Sequence, residues 1–495
     1  MNISKALKAL ESTASDVIAL CNAVKKIEDL GEYSRAAEEM GEWWLDVGKR
    51  PSVDGFSTEK KAAILARVGA LSGWLGSARQ IAGSQEKAKD LISEAANLFE
   101  EINSWEDWAE TRSDLAVCYW REGAFDEARV ILDDVLGNSI QLSSELKAKI
   151  LLRSVNVEIS TCHYVKAEHH IDKAKPLVEK YGNDLLLGKL YFHHALIFHY
   201  RGEDENKPEY ITFAIEGYNL ASDYYKKAEH NRYVAMSENN IGNAYRLLGD
   251  FQKTHVHLDN ALRRYEKLKD KGRAALVYDN KARTFLEQNR LSDAQLAALT
   301  SVNMLREGGE NSTLAESLTT LAIVLSRGGD LKEAMSTFDE AKKTALSVGD
   351  TESAGNALLT YIEELQPYLT PIVIRKLYLE ADDLLKNSPK IGTISRLQKI
   401  ARKQLEINST DALFKSEKFV SWKNFSLPGA VHTFESEIIL KAINDAGGRV
   451  TKAARLLGMP HQSLSIILHS RHKDLKQYCI QRKSRRDGKA KAKTH

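Results

Sequence analysis

Small, bulky and polar positions return along most of this chain at a fixed distance. The unit is a turn residue, a spacer, a bulky residue, two spacers and a small residue. It stands as Gly31-x-Tyr33-x-x-Ala36, Gly123-x-Phe125-x-x-Ala128 and Cys162-x-Tyr164-x-x-Ala167. Later copies are Gly249-x-Phe251-x-x-Thr254, Asn289-x-Leu291-x-x-Ala294 and Gly329-x-Leu331-x-x-Ala334, with a weaker Gly83-x-Gln85-x-x-Ala88. From Ala88 onward the closing small residues are spaced by 40, 39, 87, 40 and 40. The gap of 87 leaves room for one further copy around residues 188–229, with an insertion near 202–209. Another small residue stands twelve before the marker, at Gly76, Ala116, Gly242, Ala282 and Ala322, with Val155 as the exception. A third follows it by seven, at Ala95, Ala174, Ala261, Ser301 and Ala341. Small residues at fixed points on two helices let the pair cross closely. Leu115, Tyr119, Ile241, Tyr245, Leu321 and Leu325 then fill the space between pairs. One such pair cannot bury its apolar face alone, so neighbours must stack. The pattern predicts an all-α array over residues 1–415, its first copy out of step and residues 50–57 forming a loop.

The C-terminal pattern is different. The period fades from Ser409, and residues 416–433 read as a linker rich in turn formers. A helix is expected over Phe434–Ala446, with Phe434, Ile438, Ile439, Ala442 and Ile443 on its apolar stripe, closed by Gly447-Gly448. Ala453 and Ala454 let a second helix be crossed closely, and Leu456 and Leu457 end it. Gly458 suits the left-handed conformation of a tight turn. Pro460 opens a third helix, where Leu464 and Leu468 repeat at i, i+4. The spacing predicts a small three-helix helix-turn-helix over residues 434–480. Residues 481–495 are rich in Lys and Arg, poor in apolar groups and expected to be disordered.

These residues carry two resemblances. The array resembles the tetratricopeptide repeat from about Ile27 to Leu346, with a period near 40 in place of 34 and degenerate pairs to about Leu405. This implies an α-solenoid superhelix whose inner helices line a concave surface that holds peptides. The run from Gly448 through Thr451-Lys452-Ala453-Ala454 to Leu457-Gly458 and Leu464 resembles the Fis-type helix-turn-helix at the C-terminus of bacterial enhancer-binding activators. The match spans about Phe434 to Leu475, and it implies a module that lays its last helix in the DNA major groove.

Bulk charge sharpens the second reading. The net charge of +2 conceals an asymmetry: residues 430–495 hold 14 basic and 5 acidic residues, and the remainder holds 56 and 63. A basic end on an acidic body suits a polyanionic partner at that end. Cys21, Cys118, Cys162 and Cys479 are too far apart in sequence to suggest a zinc cage or a disulfide framework. Residues 1–25 lack the apolar core of a signal peptide, and no stretch is long and apolar enough to span a bilayer. A cytoplasmic protein without membrane association is expected.

By position, the resemblance would bring His461, Gln462, Ser463, Ser465 and Ile466 to base edges. Arg449, Thr451 and Lys452, at the start of the preceding helix, would lie near phosphates. Arg471, Lys473, Lys476 and the tail add basic charge. The departure from the family pattern is a recognition helix without Arg or Lys. Gln can read adenine and Ser several bases, but no Arg fork for guanine is present. In the array, Asn239, Asn240, Asn243 and Arg246 lie on one inner helix, and Asn280 and Arg283 on the next. Asn can pair with a peptide backbone and Arg can hold a carboxylate. The same residues could instead cap loops or bond between repeats. Histidines at 163, 169 and 170 and at 193, 194 and 199 lack the spacing and acidic companions of a metal site. The tryptophans 43, 44, 74, 105, 108 and 120 read as inter-helix packing.

The chain has no phosphate-binding glycine loop with Lys-Ser/Thr, no dinucleotide fingerprint and no nucleophile elbow. The ATPase domain that precedes this module in enhancer-binding activators is also missing. The expectation is a non-enzymatic transcriptional regulator with no cofactor or metal. Its array would bind a protein or peptide, its C-terminal module would bind duplex DNA, and the resemblance adds a homodimer. The alternative is a scaffold whose C-terminal module binds protein or nucleic acid without sequence preference.

Overall fold

The computed structural model describes residues 17–138, 142–408 and 426–479, which form helices and connecting turns with no strand. Two compact units divide at residue 404.

In the first unit the helices run α1 (Val17–Asp29), α2 (Tyr33–Glu39), α3 (Thr58–Arg79), α4 (Ser84–Glu101), α5 (Trp105–Glu122) and α6 (Phe125–Gly137). They continue as α7 (Ser144–Ser160), α8 (Tyr164–Tyr181), α9 (Asp184–Asp204), α10 (Pro208–Lys227), α11 (Asn231–Leu247) and α12 (Phe251–Lys267). Then come α13 (Lys271–Glu287), α14 (Leu291–Leu305), α15 (Asn311–Gly328), α16 (Leu331–Leu346), α17 (Thr351–Leu365), α18 (Pro371–Leu385) and α19 (Ile391–Asn408). Odd and even helices pair, and pairs stack.

The repeat markers explain the pairing. Ala88, Ala128, Ala167, Thr254, Ala294 and Ala334 have no exposed surface, and neither do Ala95, Ala174, Ala261, Ser301 and Ala341. The approach is close enough that a Cβ on Gly76 would stand 2.0 Å from Ser84 Oγ. All seven turn residues of the pattern have positive φ, including the non-glycines Cys162 (62°) and Asn289 (58°). The missing copy is α9 and α10, with Gly202, Ala214 and Ala221 in the marker places. Ala214 and Ala221 are fully buried. Its turn residue is Asn206, at φ 53°. The inserted residues lengthen the two helices to 21 and 20 residues instead of forming a loop. Residues 50–57 connect α2 to α3 without regular helix, and Ser57 Oγ accepts the Lys60 amide at 3.5 Å as the N-cap.

Helices ten apart also meet, so the stack returns on itself. Gly31, after α1, gives its carbonyl to Arg232 Nε of α11 at 3.4 Å, and that guanidinium lies 4.6 Å over the Tyr33 ring. Ser77 and Gln80, at the end of α3, bond Glu310, and Gln80 packs on Gly272 of α13. Gly123, after α5, faces Ser312 of α15. The carboxylate of Asp204, on α9, accepts the amides of Ile391 and Gly392 at 3.1 and 2.9 Å, capping α19. Five helix pairs therefore make one turn, and successive turns touch.

The second unit holds α20 (Leu427–Asp445), α21 (Val450–Leu456), α22 (His461–His469) and a 3-10 turn over Lys473–Tyr478. Its core is Ile439, Ala442, Ile443, Ala446, Ala453, Ala454, Leu464, Leu468 and Leu475. Gly458 takes φ 64° between α21 and α22. Two expectations are corrected. First, α20 begins at Leu427, within the expected linker. Ser426 Oγ accepts the Gly429 amide at 3.3 Å and Pro428 sits in the first turn, so these turn formers are a helix start. Second, Phe434 and Ile438 are 61% and 42% exposed. Helices of 7 and 9 residues cover only the last turns of α20. Leu456 is exposed too, and Leu457 turns inward. The rest of the expected linker, residues 416–425, and the basic tail 481–495 lie outside the described residues.

Candidate functional site

Gly458 and Pro460 set the start of α22, and the burial of Leu464 and Leu468 decides which face it leaves outward. His461 and Gln462 are exposed, Ser463 and Ser465 half-buried, and Ile466 and His469 exposed. Gln462, Ser465, Ile466 and His469 thus share the side away from the core. Arg449, the residue before α21, is exposed, as are Thr451 and Lys452 in its first turn. Arg455 is exposed one turn further on. The sequence reading passed over it, although its i, i+3 relation to Lys452 places it on the same side. Residues 426–479 carry seven basic and four acidic residues, and residues 480–495 seven and one.

Arg471 and Lys473 divide. Lys473 is exposed at the start of the 3-10 turn. Arg471 is engaged: it bonds Glu435 of α20 at 2.5 Å, while His472, fully buried, places Nε2 3.0 Å from the other Glu435 oxygen. His432 stacks on His472 at 4.3 Å and bonds the Arg471 carbonyl at 2.8 Å. Arg471 was expected as free basic charge for DNA; it also ties the end of the module to α20. The His472 hydrogen bond and the Arg471 charge hold the Glu435 carboxyl below its ordinary range.

In the array, α11 and α13 carry the six expected groove residues, and four of them bond to one another. Arg246 Nε donates to Asn243 Oδ1 at 2.9 Å, and Asn243 Nδ2 lies 3.0 Å from His199 Nε2. With its oxygen taken by Arg246, Asn243 must donate to His199, so that imidazole carries its proton on Nδ1. Burial holds the His199 pKa down to about 4. Arg246 also pairs with Glu287 of α13. Arg283 Nε bonds Asp279 at 2.8 Å. Asn280 donates to Asn239 at 3.1 Å, and Asn240 to the Met236 carbonyl at 2.9 Å. Asn243 and Arg246 are thereby committed within the fold. The Asn280 oxygen and the Asn239 amide nitrogen remain without partners among the described residues.

Two of the other histidines are used locally. His193 Nδ1 bonds the Lys189 carbonyl at 2.6 Å and His163 Nδ1 bonds Thr161 Oγ1 at 2.9 Å. Among the described residues no group of three His, Cys, Asp or Glu side chains is arranged to hold a metal. Trp74 stacks on Tyr33 at 4.9 Å, and Trp120 donates to Ser160 at 2.9 Å. Among the described residues no helix is long and apolar enough to cross a membrane.

Against known families, the tetratricopeptide repeat matches residues 233–307 and the Fis family of bacterial regulatory proteins matches residues 430–465. The chain carries tetratricopeptide repeats and a Fis-family helix-turn-helix. The tetratricopeptide match runs from α11 into α14 and holds all six groove residues. The Fis match holds Arg449 to Ser465 and stops before Arg471. No curated protein matches the sequence. Among solved structures, the Rap protein complexed with Competence and Sporulation Factor is 14% identical, over 69% of this chain and 99% of that one, with a TM-score of 0.48. NprR in complex with its cognate peptide NprX is 12% identical, over 65% and 94%, at 0.43. Yeast Tom70 is 13% identical, over 83% and 87%, at 0.39.

Proposed function

We propose that this chain is a non-catalytic, cytoplasmic transcriptional regulator. Its Fis-family unit reads duplex DNA with the outward face of α22, and its array holds a peptide or protein segment in the concavity. One observation carries the reading: Gln462, Ser465, Ile466 and His469 stand clear of the core, and Arg449, Lys452 and Arg455, at and on the preceding helix, are exposed as well. A helix presenting polar side chains at a turn, flanked by cations, has the form of a base-reading element with phosphate anchors. The unit acts as a homodimer, consistent with Val431, Phe434 and Ile438, which leave an exposed apolar stripe along α20 at i, i+3, i+7.

The full chain is the reagent for the test. Selection from randomised duplexes at two salt concentrations should enrich one motif, with half-sites roughly one helical turn apart. Roughly four to six phosphate contacts give a log–log salt slope near −4 to −5. Removing residues 481–495 should flatten that slope and keep the motif. Gln462→Ala with Ser463→Ala should erase the motif and keep the slope. A second reading draws on Ile466, 67% exposed at the centre of a helix without Arg or Lys: the unit docks protein. Failure to enrich any motif, with wild type and the double variant binding alike, selects that scaffold reading.

A further inference from the structure

Between α9 and α10 the surface opens into a cleft of about 340 Å³. Ala195 and Gly217 are its floor. The helices cross so closely there that a Cβ on Gly217 would stand 2.8 Å from that of Ala195. Tyr191, His194 and Phe198 form one wall, at i, i+3 and i+7 along α9. Phe213, Glu216 and Leu220 form the other, along α10. The cleft is open to water, since Phe213 is 55% and Leu220 42% exposed. The His194 ring meets Phe198 edge-on at 5.1 Å, and Phe213 lies 6.0 Å from Phe198, so rings line both sides.

The rings beyond the two ends of the cleft already hold cations. Tyr224, stacked on Tyr191 at 5.5 Å, lies under Lys227 Nζ at 4.9 Å. Tyr210, edge-on to Phe198 at 5.6 Å, lies under Lys207 Nζ at 4.8 Å and the Arg201 guanidinium at 5.4 Å. The rings of the cleft itself, Tyr191, Phe198 and Phe213, hold no Lys or Arg among the described residues. Glu216 is the one acidic side chain in the lining. It is exposed and makes no hydrogen bond or ion pair among the described residues. Burial lowers the His194 pKa, so that ring is uncharged at neutral pH. Open ring faces beside an unpaired carboxylate call for a cation. Which cation follows from what the cleft lacks. A primary ammonium or a guanidinium carries several N–H donors, and it gives up water only where acceptors replace it. Here the lining is mostly carbon, with one carboxylate. A quaternary ammonium has no N–H to satisfy, and aromatic faces attract its charge through its methyl groups.

We propose that the cleft between α9 and α10 binds a small quaternary ammonium compound, its head among Tyr191, Phe198 and Phe213 with Glu216 as counter-ion. Lys227 at one end and Lys207 with Arg201 at the other repel a basic chain that would continue past the cleft. The occupant is therefore a free solute and not a methylated side chain of a basic peptide. The assignment does not rest on the DNA or peptide readings given above.

The test uses the full chain and three solutes: choline, its uncharged carbon isostere dimethylbutanol, and ethanolamine, which has the same stem with a primary ammonium. Binding is read by saturation-transfer NMR titration at physiological salt. Choline should bind about tenfold tighter than either of the others. Phe213→Ala should weaken choline about fivefold, and Phe213→Tyr should restore most of that loss. Glu216→Gln should weaken choline about threefold and leave the isostere unchanged. Phe213 and Glu216 are both exposed, and circular dichroism melts verify that the variants fold. Glu333→Gln, on α16, should change nothing; a loss there equal to that of Glu216→Gln would mean diffuse attraction and overturn the site. Equal binding of choline and its isostere overturns the cation assignment, and binding of neither overturns the site itself. An octapeptide bearing trimethyl-lysine that outbinds choline overturns the free solute.

Discussion

Asn243 has no hydrogen-bonding end to spare. Its oxygen serves Arg246 and its nitrogen serves His199, so the amide is a joint between α9 and α11. Protonating His199 would set an N–H against the Asn243 N–H in a buried place. The titration follows in sign. Burial lowers the His193 and His199 pKa values from 6.5 to about 4, so the folded state prefers neutral rings. Their contribution is intact above pH 6.5 and is lost as pH falls from there toward 4. Each group should cost the array about 2 kcal/mol between pH 7 and pH 5. Thermal melts of wild type and His199→Gln at those two pH values check this. The variant should lose stability at pH 7 and show the smaller further drop on acidification; equal drops would show that His199 does not titrate in that window. The sequence showed Asn243 and Arg246 as a polar pair on an inner helix. It did not show their partners, because Glu287 stands 41 residues from Arg246 and His199 stands 44 from Asn243. Superhelical packing, not local spacing, joins them.

At the level of elements, the positions that sequence located best are those where backbones come closest. A helix crossing admits only a small side chain, so Ala128, Ala167 and Ala294 betray their pairs regardless of what surrounds them. Ala294 has no exposed surface within the cluster of Ala282, Leu286 and Phe338. Ala294→Trp should therefore overpack the crossing of α13 and α14 and cost about 1–3 kcal/mol or more. The melting temperature and the hydrogen exchange of α15 and α16 should register it as well, since adjoining pairs share that core. A wild-type melting profile would refute the register. Burial along α20 was legible only in part. Ile439, Ala442 and Ile443 turned inward as their spacing required, whereas Phe434 and Ile438 did not. The length of the helices that must cover them is not written in the stripe itself. The start of α20 was misplaced for a related reason: Ser426-Leu427-Pro428 is compatible with either a turn or a capped first turn.

Across the whole molecule, the contacts between helices ten apart make the array more than a line of neighbours. Gly123 is one such seam. It takes φ 93°, and a Cβ there would stand 2.3 Å from Ser312 Oγ. Gly123→Ala should combine backbone strain with a clash and cost about 1–3 kcal/mol. Amide exchange should accelerate at the ends of α5 and α6 and also around α15, nearly 190 residues away in sequence. Acceleration confined to α5 and α6 would mean that the turns rest together without coupling. No period announced these seams. They rest on single residues such as Gln80 with Glu310, 230 apart, and Asp204 with Gly392, 188 apart.

The seams also set a timetable for synthesis. A linear repeat array can settle pair by pair as it leaves the ribosome, because every contact is local. Here Ser77 waits for Glu310, 233 residues later. At about 5–20 residues per second that is roughly ten to fifty seconds. Over that interval the first turn holds Tyr33 stacked on Trp74, with the Arg121 guanidinium 3.7 Å over the Trp74 ring, without the lid that α11 and α13 later provide. Its nascent form is thus a half-covered surface rich in aromatic rings, and how long it stays so is fixed by how far along the message the codon for Glu310 lies.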